Sequence, residues 1–150
     1  MGVIYIIQPL DEEMASFLGE MGAAVPEADG PSRNPTPAEV RKSCSALRGF
    51  KTTFNVKSKS HWQALLQSTQ RDEGTILNLE NFTDAEDKPH AIWFEKGSPK
   101  GILEIVKRLT RHCGPLVVLP DTGEAPIAVT ADASVKTLLK EWEHTQDDER

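Results

Sequence analysis

The apolar positions at the start of the chain predict a strand followed by a helix. Residues 3–7 form a continuous, mostly β-branched run, which is typical of a strand covered on both faces. After Asp11, which suits a helix N-cap, apolar residues recur at the i, i+3, i+4, i+7 spacing of one helix face. These residues are Met14, Phe17, Leu18 and Met21. Residues 23–35 contain three prolines and predict a mobile loop.

In the middle of the chain, the spacing of the apolar residues alternates between that of a helix and that of a strand. Thr36, Pro37 and Glu39 have the pattern of a capping box with proline at the first helical position, so a helix is predicted to begin there. Regular alternation of apolar and polar residues over 50–57 predicts a strand with one solvated face. Over 60–68 we expect a short helix, because three apolar residues there fit a helical spacing. They are Trp62, Leu65 and Leu66.

The second half of the chain predicts two hairpins and two helices. The strand pairs are 75–82 with 91–95, and 116–119 with 126–129. One helix is predicted from Pro99 to Gly114. A last helix begins near Thr130 or Asp132 and precedes a frayed polar tail at 145–150. About six strands and five helices, without strict alternation, predict a single α+β domain over 1–150. Its sheet is expected to be mixed or mostly antiparallel.

Composition and charge narrow the functional classes. The 150 residues suit one domain. The chain has 17 Lys and Arg against 23 Asp and Glu, a net charge of -6. That balance argues against a nucleic-acid partner, because phosphate binding needs a basic surface. No apolar run approaches the ~20 residues of a membrane span, and the start lacks the basic region of a signal peptide. We therefore expect a cytoplasmic protein without a membrane partner.

The catalytic candidates in the sequence are weak. The tripeptide Asp-Thr-Gly at 121–123 matches an aspartic-protease signature, but a tight turn between two apolar strands explains it better. The four histidines lack the spacing of a zinc site. Cys44 and Cys113 fall on apolar helix faces and are expected to be reduced and buried. We therefore expect no enzyme, no catalytic residue, no cofactor and no metal site.

The segment 97–101, Gly-Ser-Pro-Lys-Gly, leads into a predicted helix. Amide groups at a helix N-terminus can hold a phosphate, and Lys100 would assist them. The segment lacks the Gly-Lys-Ser/Thr end of a P-loop, and a serine cap followed by proline also accounts for it. It leaves open an alternative function: a small enzyme or regulatory domain that binds a phosphate-containing ligand at this turn.

The carboxylates gather around the first predicted hairpin. Those on or between its strands are Glu80, Asp84, Glu86, Asp87 and Glu95. A solvated rim is the simpler interpretation of each one alone. Together they would form a negative face that attracts a basic partner and speeds its encounter. We predict that these five residues bind the partner, with Trp93 or Phe82 as an aromatic anchor if either faces outward.

Two stretches in the second half of the chain resemble a known group of proteins. Residues 91–97 read Ala-Ile-Trp-Phe-Glu-Lys-Gly, and after the intervening helix residues 112–121 read His-Cys-Gly-Pro-Leu-Val-Val-Leu-Pro-Asp. The layout resembles the small immunity proteins of bacterial polymorphic toxin systems, delivered by contact-dependent inhibition or type VI secretion. The resemblance implies that the protein binds a cognate toxin domain, often a nuclease, and occludes its active site. A scaffold subunit is a third possibility, and the oligomeric state is left open.

Overall fold

One antiparallel sheet with helices packed on it makes up the fold in the computed structural model of the chain. The structure describes residues 4–22, 25, 32–58, 61–70, 74–80, 91–95, 99–122 and 126–147. The strands are β1 (Ile4–Pro9), β2 (Phe50–Ser58), β3 (His61–Ser68), β4 (Gly74–Glu80), β5 (Ile92–Glu95), β6 (Leu116–Pro120) and β7 (Ile127–Val129). The helices are α1 (Glu12–Glu20), α2 (Pro37–Ser45), α3 (Pro99–Cys113) and α4 (Val135–Asp147).

The strand order across the sheet is β2-β3-β4-β5-β1-β6-β7, and every neighbouring pair is antiparallel. Both predicted hairpins are present, as β4–β5 and β6–β7. The N-terminal strand β1 lies between them and joins them into one sheet. The α+β single-domain prediction is therefore confirmed. Within the described ranges, no helix is long and apolar enough to cross a membrane.

Local capping explains where α1 and α2 begin. The Asp11 carboxylate accepts the Met14 N–H at 2.8 Å, as expected of an N-cap. At α2, the Thr36 hydroxyl accepts the Glu39 N–H at 3.2 Å, and the Glu39 carboxylate accepts the Thr36 N–H at 2.9 Å. This reciprocal pair is the predicted capping box, with Pro37 at the first helical position.

The main core lies between one face of the sheet and three helices, α2, α3 and α4. The central helix α3 buries an apolar stripe that includes Ile102, Ile105 and Leu109, each with no exposed surface. It ends at Gly114, whose φ of 80° is a left-handed conformation that suits glycine at a helix C-terminus. The sheet face under these helices is called the inner face below, because its side chains lie in this core.

The opposite, outer face of the sheet is covered by α1 at one end. Leu18 of α1 packs with Leu10 and Val117 in a second, small core. Its partly buried neighbours include Leu119 and Ala128, so α1 lies over β6 and β7. No helix of the described residues covers the outer face of β2 to β5. Among the described residues, helices therefore cover both faces of the sheet at its β6–β7 end and only the inner face at its β2–β5 end.

The segment predicted as a helix over 60–68 is the strand β3, so that prediction is wrong. Trp62 and Leu66 are buried on the inner face together with Ala64, which lies between them. The alternation of these three residues is a strand period, and pairing with both β2 and β4 satisfies the backbone. The described residues consequently form seven strands and four helices, in place of about six and five.

Fewer side chains are buried at the start of the chain than the sequence predicts. Ile6 in β1 is 39% exposed, so this strand is not covered on both faces. In α1, Leu18 is fully buried, while Phe17 and Met21 are 40% and 41% exposed. Helix α1 therefore buries only a narrow stripe of side chains against the sheet, because no second helix of the described residues packs against its sides.

The predicted loop and tail are described in part. Residues 23–24 and 26–31 of the predicted mobile loop lie outside the described residues. Its last residues are anchored by Arg33, whose backbone N–H donates to the Cys113 carbonyl at 2.9 Å. At the other end, α4 continues to Asp147, so the first three residues of the predicted tail are helical. The remaining three lie outside the described residues.

Candidate binding face

The outer surface of β3, β4, β5 and β1 forms a band of half-buried polar and apolar side chains, called here the open face. Its central row follows the strand register, which aligns Gln63, Asn78, Trp93 and Ile6 across four strands. A second row aligns Leu65, Ile76, Glu95 and Ile4 in the same way. Aligned residues on one face of a sheet lie side by side, so the two rows make one continuous surface.

A hydrogen-bonded cluster on Asn78 occupies the centre of the open face. The Asn78 Oδ1 accepts from the Gln63 Nε2 at 2.8 Å and from the His61 Nε2 at 2.9 Å. Because a carbonyl oxygen only accepts, the His61 ring carries its proton on Nε2. The His61 ring stacks on Trp93, with ring centroids 5.9 Å apart. The cluster fixes the orientation of both aromatic rings at the surface.

The amide nitrogen of Asn78 is the unsatisfied group of this cluster. Asn78 is 1% exposed, and its Nδ2 has no hydrogen-bond partner among the described residues. Leaving a buried donor unpaired costs about 1–3 kcal/mol.

A depression lies beside the second row, where β4 begins with glycine. The cavity has a volume of ≈ 340 Å³ and is lined by Leu65, Ile76 and Gly74 among others. A Cβ on Gly74 would lie 2.7 Å from the Leu66 carbonyl oxygen, so a side chain does not fit there. The apolar lining from Leu65 and Ile76 suits an apolar group of another molecule.

The predicted acidic cluster is only partly described. Glu95 belongs to the second row, where its Cα pairs with Ile76 and Ile4. The Cα of Glu80 pairs with His61, at the other end of β4. Four strand positions separate the two levels, roughly 13 Å at about 3.3 Å per residue, so the backbone does not bring these residues together. Asp84, Glu86, Asp87 and Phe82 lie outside the described residues.

The predicted turn at Asp121 follows β6 on the way to β7, and Asp121 is hydrogen-bonded to Ile4 at the start of β1. The Asp121 Oδ1 accepts the Ile4 N–H at 3.1 Å, and the Asp121 N–H donates to the Ile4 carbonyl at 2.9 Å. These two hydrogen bonds extend the β1–β6 pairing by one residue. They explain Asp121 as a structural residue at the end of these two paired strands.

A cluster on Glu39 links the segment before α2 to the end of α3. The Arg33 guanidinium donates to both Glu39 carboxylate oxygens at 2.8 Å, and its Nη2 also donates to the His112 carbonyl at 3.1 Å. The hydrogen bonds that Glu39 accepts from Arg33, with a smaller contribution from Thr36, lower the pKa of Glu39 to about 2. Arg33 also supplies positive charge at the negative end of α3. The cluster therefore has a structural explanation.

Both cysteines are free and buried, as predicted. Burial raises the pKa of Cys44 to about 12, and burial together with the Glu39 charge raises the pKa of Cys113 to about 12. Both thiols are therefore protonated at neutral pH, which makes them poor nucleophiles. In the described ranges, no three His, Cys, Asp or Glu side chains are grouped so that they could hold a metal ion.

The sequence missed three residues of the open face, His61, Gln63 and Asn78. The first two were hidden by the helix predicted over 60–68. The strand-like alternation of Trp62, Ala64 and Leu66 was the signal that would have placed them on the outer face. Comparison of the chain with protein-family models, with curated proteins and with solved structures gives no match.

Proposed function

We propose that this protein is an inhibitor that binds a basic bacterial toxin domain through its open face and occludes the active site of that domain. The observation that carries the proposal is the row Gln63–Asn78–Trp93–Ile6, a half-buried polar and aromatic surface over which no described helix packs. The toxin as partner, and neutralisation as outcome, come from the resemblance to immunity proteins.

The make-up of the open face suits a protein partner. A purely solvated sheet face carries polar side chains, whereas this one carries Ile6, Leu65, Ile76 and Trp93. Tryptophan is among the residues most enriched at the energetic centres of interfaces. The depression at Gly74 would receive an apolar side chain of the partner.

Charge supports a basic partner. The chain has a net charge of -6, and Glu95 lies within the second row of the open face. Opposite charge steers two proteins together and raises the association rate, and salt weakens that effect. A toxin nuclease has a positively charged cleft for phosphates, which makes it a suitable basic partner.

Co-expression tests the proposed function. The toxin's C-terminal domain, encoded immediately upstream in the arrangement expected for immunity genes, is produced in bacteria with and without this protein. We expect growth arrest without it and normal growth with it. Arrest in both cultures would overturn the proposal, and so would the absence of any complex in a pull-down of the two purified proteins.

A charge-reversed variant tests the steering of that complex. Glu95→Lys should lower the association rate and flatten its dependence on salt, while Glu141→Lys serves as the matched control. Glu141 is exposed on α4 and therefore lies away from the open face. Equal rates for both variants at low and high salt would show that Glu95 does not face the partner.

A further inference from the structure

A second cavity lies on the helix-bearing side of the sheet, between α3, the turn from α2 to β2, and the end of β3. Its volume is ≈ 360 Å³. Its polar lining consists of Arg48, Ser68, Gln70, Lys100, Glu104 and Arg108. Volumes of about 300–1,000 Å³ are typical of small-molecule sites. The cavity is separated from the open face by the sheet itself.

Positive charge is concentrated in this cavity although the chain is acidic overall. Three cations, Arg48, Lys100 and Arg108, line it against one carboxylate, Glu104. Within the part of the chain that the structure describes, none of these cations makes an ion pair. Three cations against one carboxylate leave an excess of positive charge around one concave surface, which focuses a positive potential there.

Arg108 supplies a more specific signal. Its Nε is buried and has no hydrogen-bond partner among the described residues. A guanidinium N–H without an acceptor is costly, because hydrogen bonds to charged groups are stronger than those between neutral groups. Anionic oxygen is the acceptor that a guanidinium binds best, through two parallel N–H donors.

The first turn of α3 adds to the positive potential. It contains Lys100 and no acidic residue, although acidic side chains are the ones that stabilise a helix N-terminus. The positive end of the helix dipole and Lys100 therefore favour an anion at the same end of the cavity. Arg108 lies two turns further along the same helix.

We infer that this cavity binds a phosphorylated small molecule, with Arg48, Lys100 and Arg108 as ligands of its phosphate groups. The cavity is larger than one phosphate group, so the ligand has either a second phosphate or an organic part. Such a site goes beyond neutralisation of a toxin, because it lies on the opposite side of the sheet from the open face.

Isothermal titration of the full chain tests this site, with inorganic pyrophosphate and a nucleoside triphosphate as probes at matched ionic strength. We expect both to bind with one-to-one stoichiometry. Arg108→Gln and Lys100→Gln should each weaken binding about tenfold. Arg111→Gln is the control, because Arg111 is exposed on the same helix and does not line the cavity.

Two results would overturn the site. One is the absence of binding heat with either probe. The other is equal weakening by the Arg111 control and the cavity variants, which would indicate non-specific attraction. Lys100 is exposed, so its variant keeps the fold even if the Arg108 variant does not. Tighter binding of the nucleotide than of pyrophosphate would assign the organic part to the cavity, and equal binding would assign a second phosphate.

Discussion

Replacing Glu39 with glutamine removes one negative charge from the joint between the segment before α2 and the end of α3. Glutamine keeps an acceptor for the Thr36 N–H, so the capping box survives. The change therefore isolates the charged pair with Arg33, in which two hydrogen bonds of 2.8 Å join the side chains.

The size of the effect follows from the pKa of Glu39, which hydrogen bonds from Arg33 lower from 4.5 to about 2. Each pKa unit corresponds to about 1.36 kcal/mol, so the full difference corresponds to about 3.4 kcal/mol. The Glu39 side chain is 18% exposed and that of Arg33 is 42% exposed, so solvent screens part of this interaction. We expect Glu39→Gln to lower the free energy of unfolding by about 2 kcal/mol at pH 7.

The effect has a definite dependence on pH. Because the folded-state pKa of Glu39 is below its unfolded value, the carboxylate stabilises the fold above pH 4.5 and stops doing so as pH falls through about 2. Urea unfolding of both proteins from pH 7 to pH 2 measures this. Their difference should be largest near neutral pH and should vanish near pH 2. A difference that stays constant over this range would refute the reasoning.

Other predictions concern the cysteines, Asp121 in the β6–β7 turn and the start of β4. Cys44 and Cys113 should react slowly with a thiol reagent in the native protein and rapidly in denaturant; fast native labelling of both would contradict their burial. Asp121→Asn keeps an oxygen acceptor for the Ile4 N–H and should cost under about 1 kcal/mol by thermal unfolding, while Asp121→Ala should cost more. Gly74→Ala should destabilise the fold by about 1–3 kcal/mol, because its Cβ would lie 2.7 Å from a backbone carbonyl oxygen. An unchanged melting temperature for Gly74→Ala would show that the two strands can separate there.

Helices with strong local signals were predictable from the sequence. At α2 the capping box and Pro37 determine where the helix begins, and both involve only residues close together in sequence. The structure has both as predicted. At α3 an unbroken apolar stripe ends at Gly114, where a left-handed residue is required. These signals act over a few residues, so no knowledge of the rest of the fold is needed to interpret them.

The sheet was less predictable, because its order depends on contacts between distant segments. The position of β1 between β5 and β6 follows from long-range pairing that no local pattern encodes. In β3, Trp62, Leu65 and Leu66 fit a helical spacing while Trp62, Ala64 and Leu66 fit a strand. Pairing with β2 and β4 decides between the two.

Residues of the candidate site were predictable only where the strand that carries them was itself predicted correctly. Trp93 and Glu95 were proposed from the hairpin and do lie on the open face. No local pattern indicates the burial of Asn78, because a polar residue in a half-covered strand normally faces solvent. Its hydrogen-bond partners are His61 and Gln63, which belong to β3, the strand that was predicted as a helix.

The dissociation constant of Trp93→Ala for the toxin domain tests the binding face most directly. The control is Phe54→Ala, because Phe54 is a 41% exposed aromatic residue aligned with buried Ala64 on the inner face. Urea unfolding first establishes that both variants are folded. If the open face is the docking surface, Trp93→Ala weakens binding by about 30-fold or more, the size of a typical hot spot, and Phe54→Ala leaves it unchanged. Wild-type affinity for Trp93→Ala, or an equal loss for Phe54→Ala, would contradict the account.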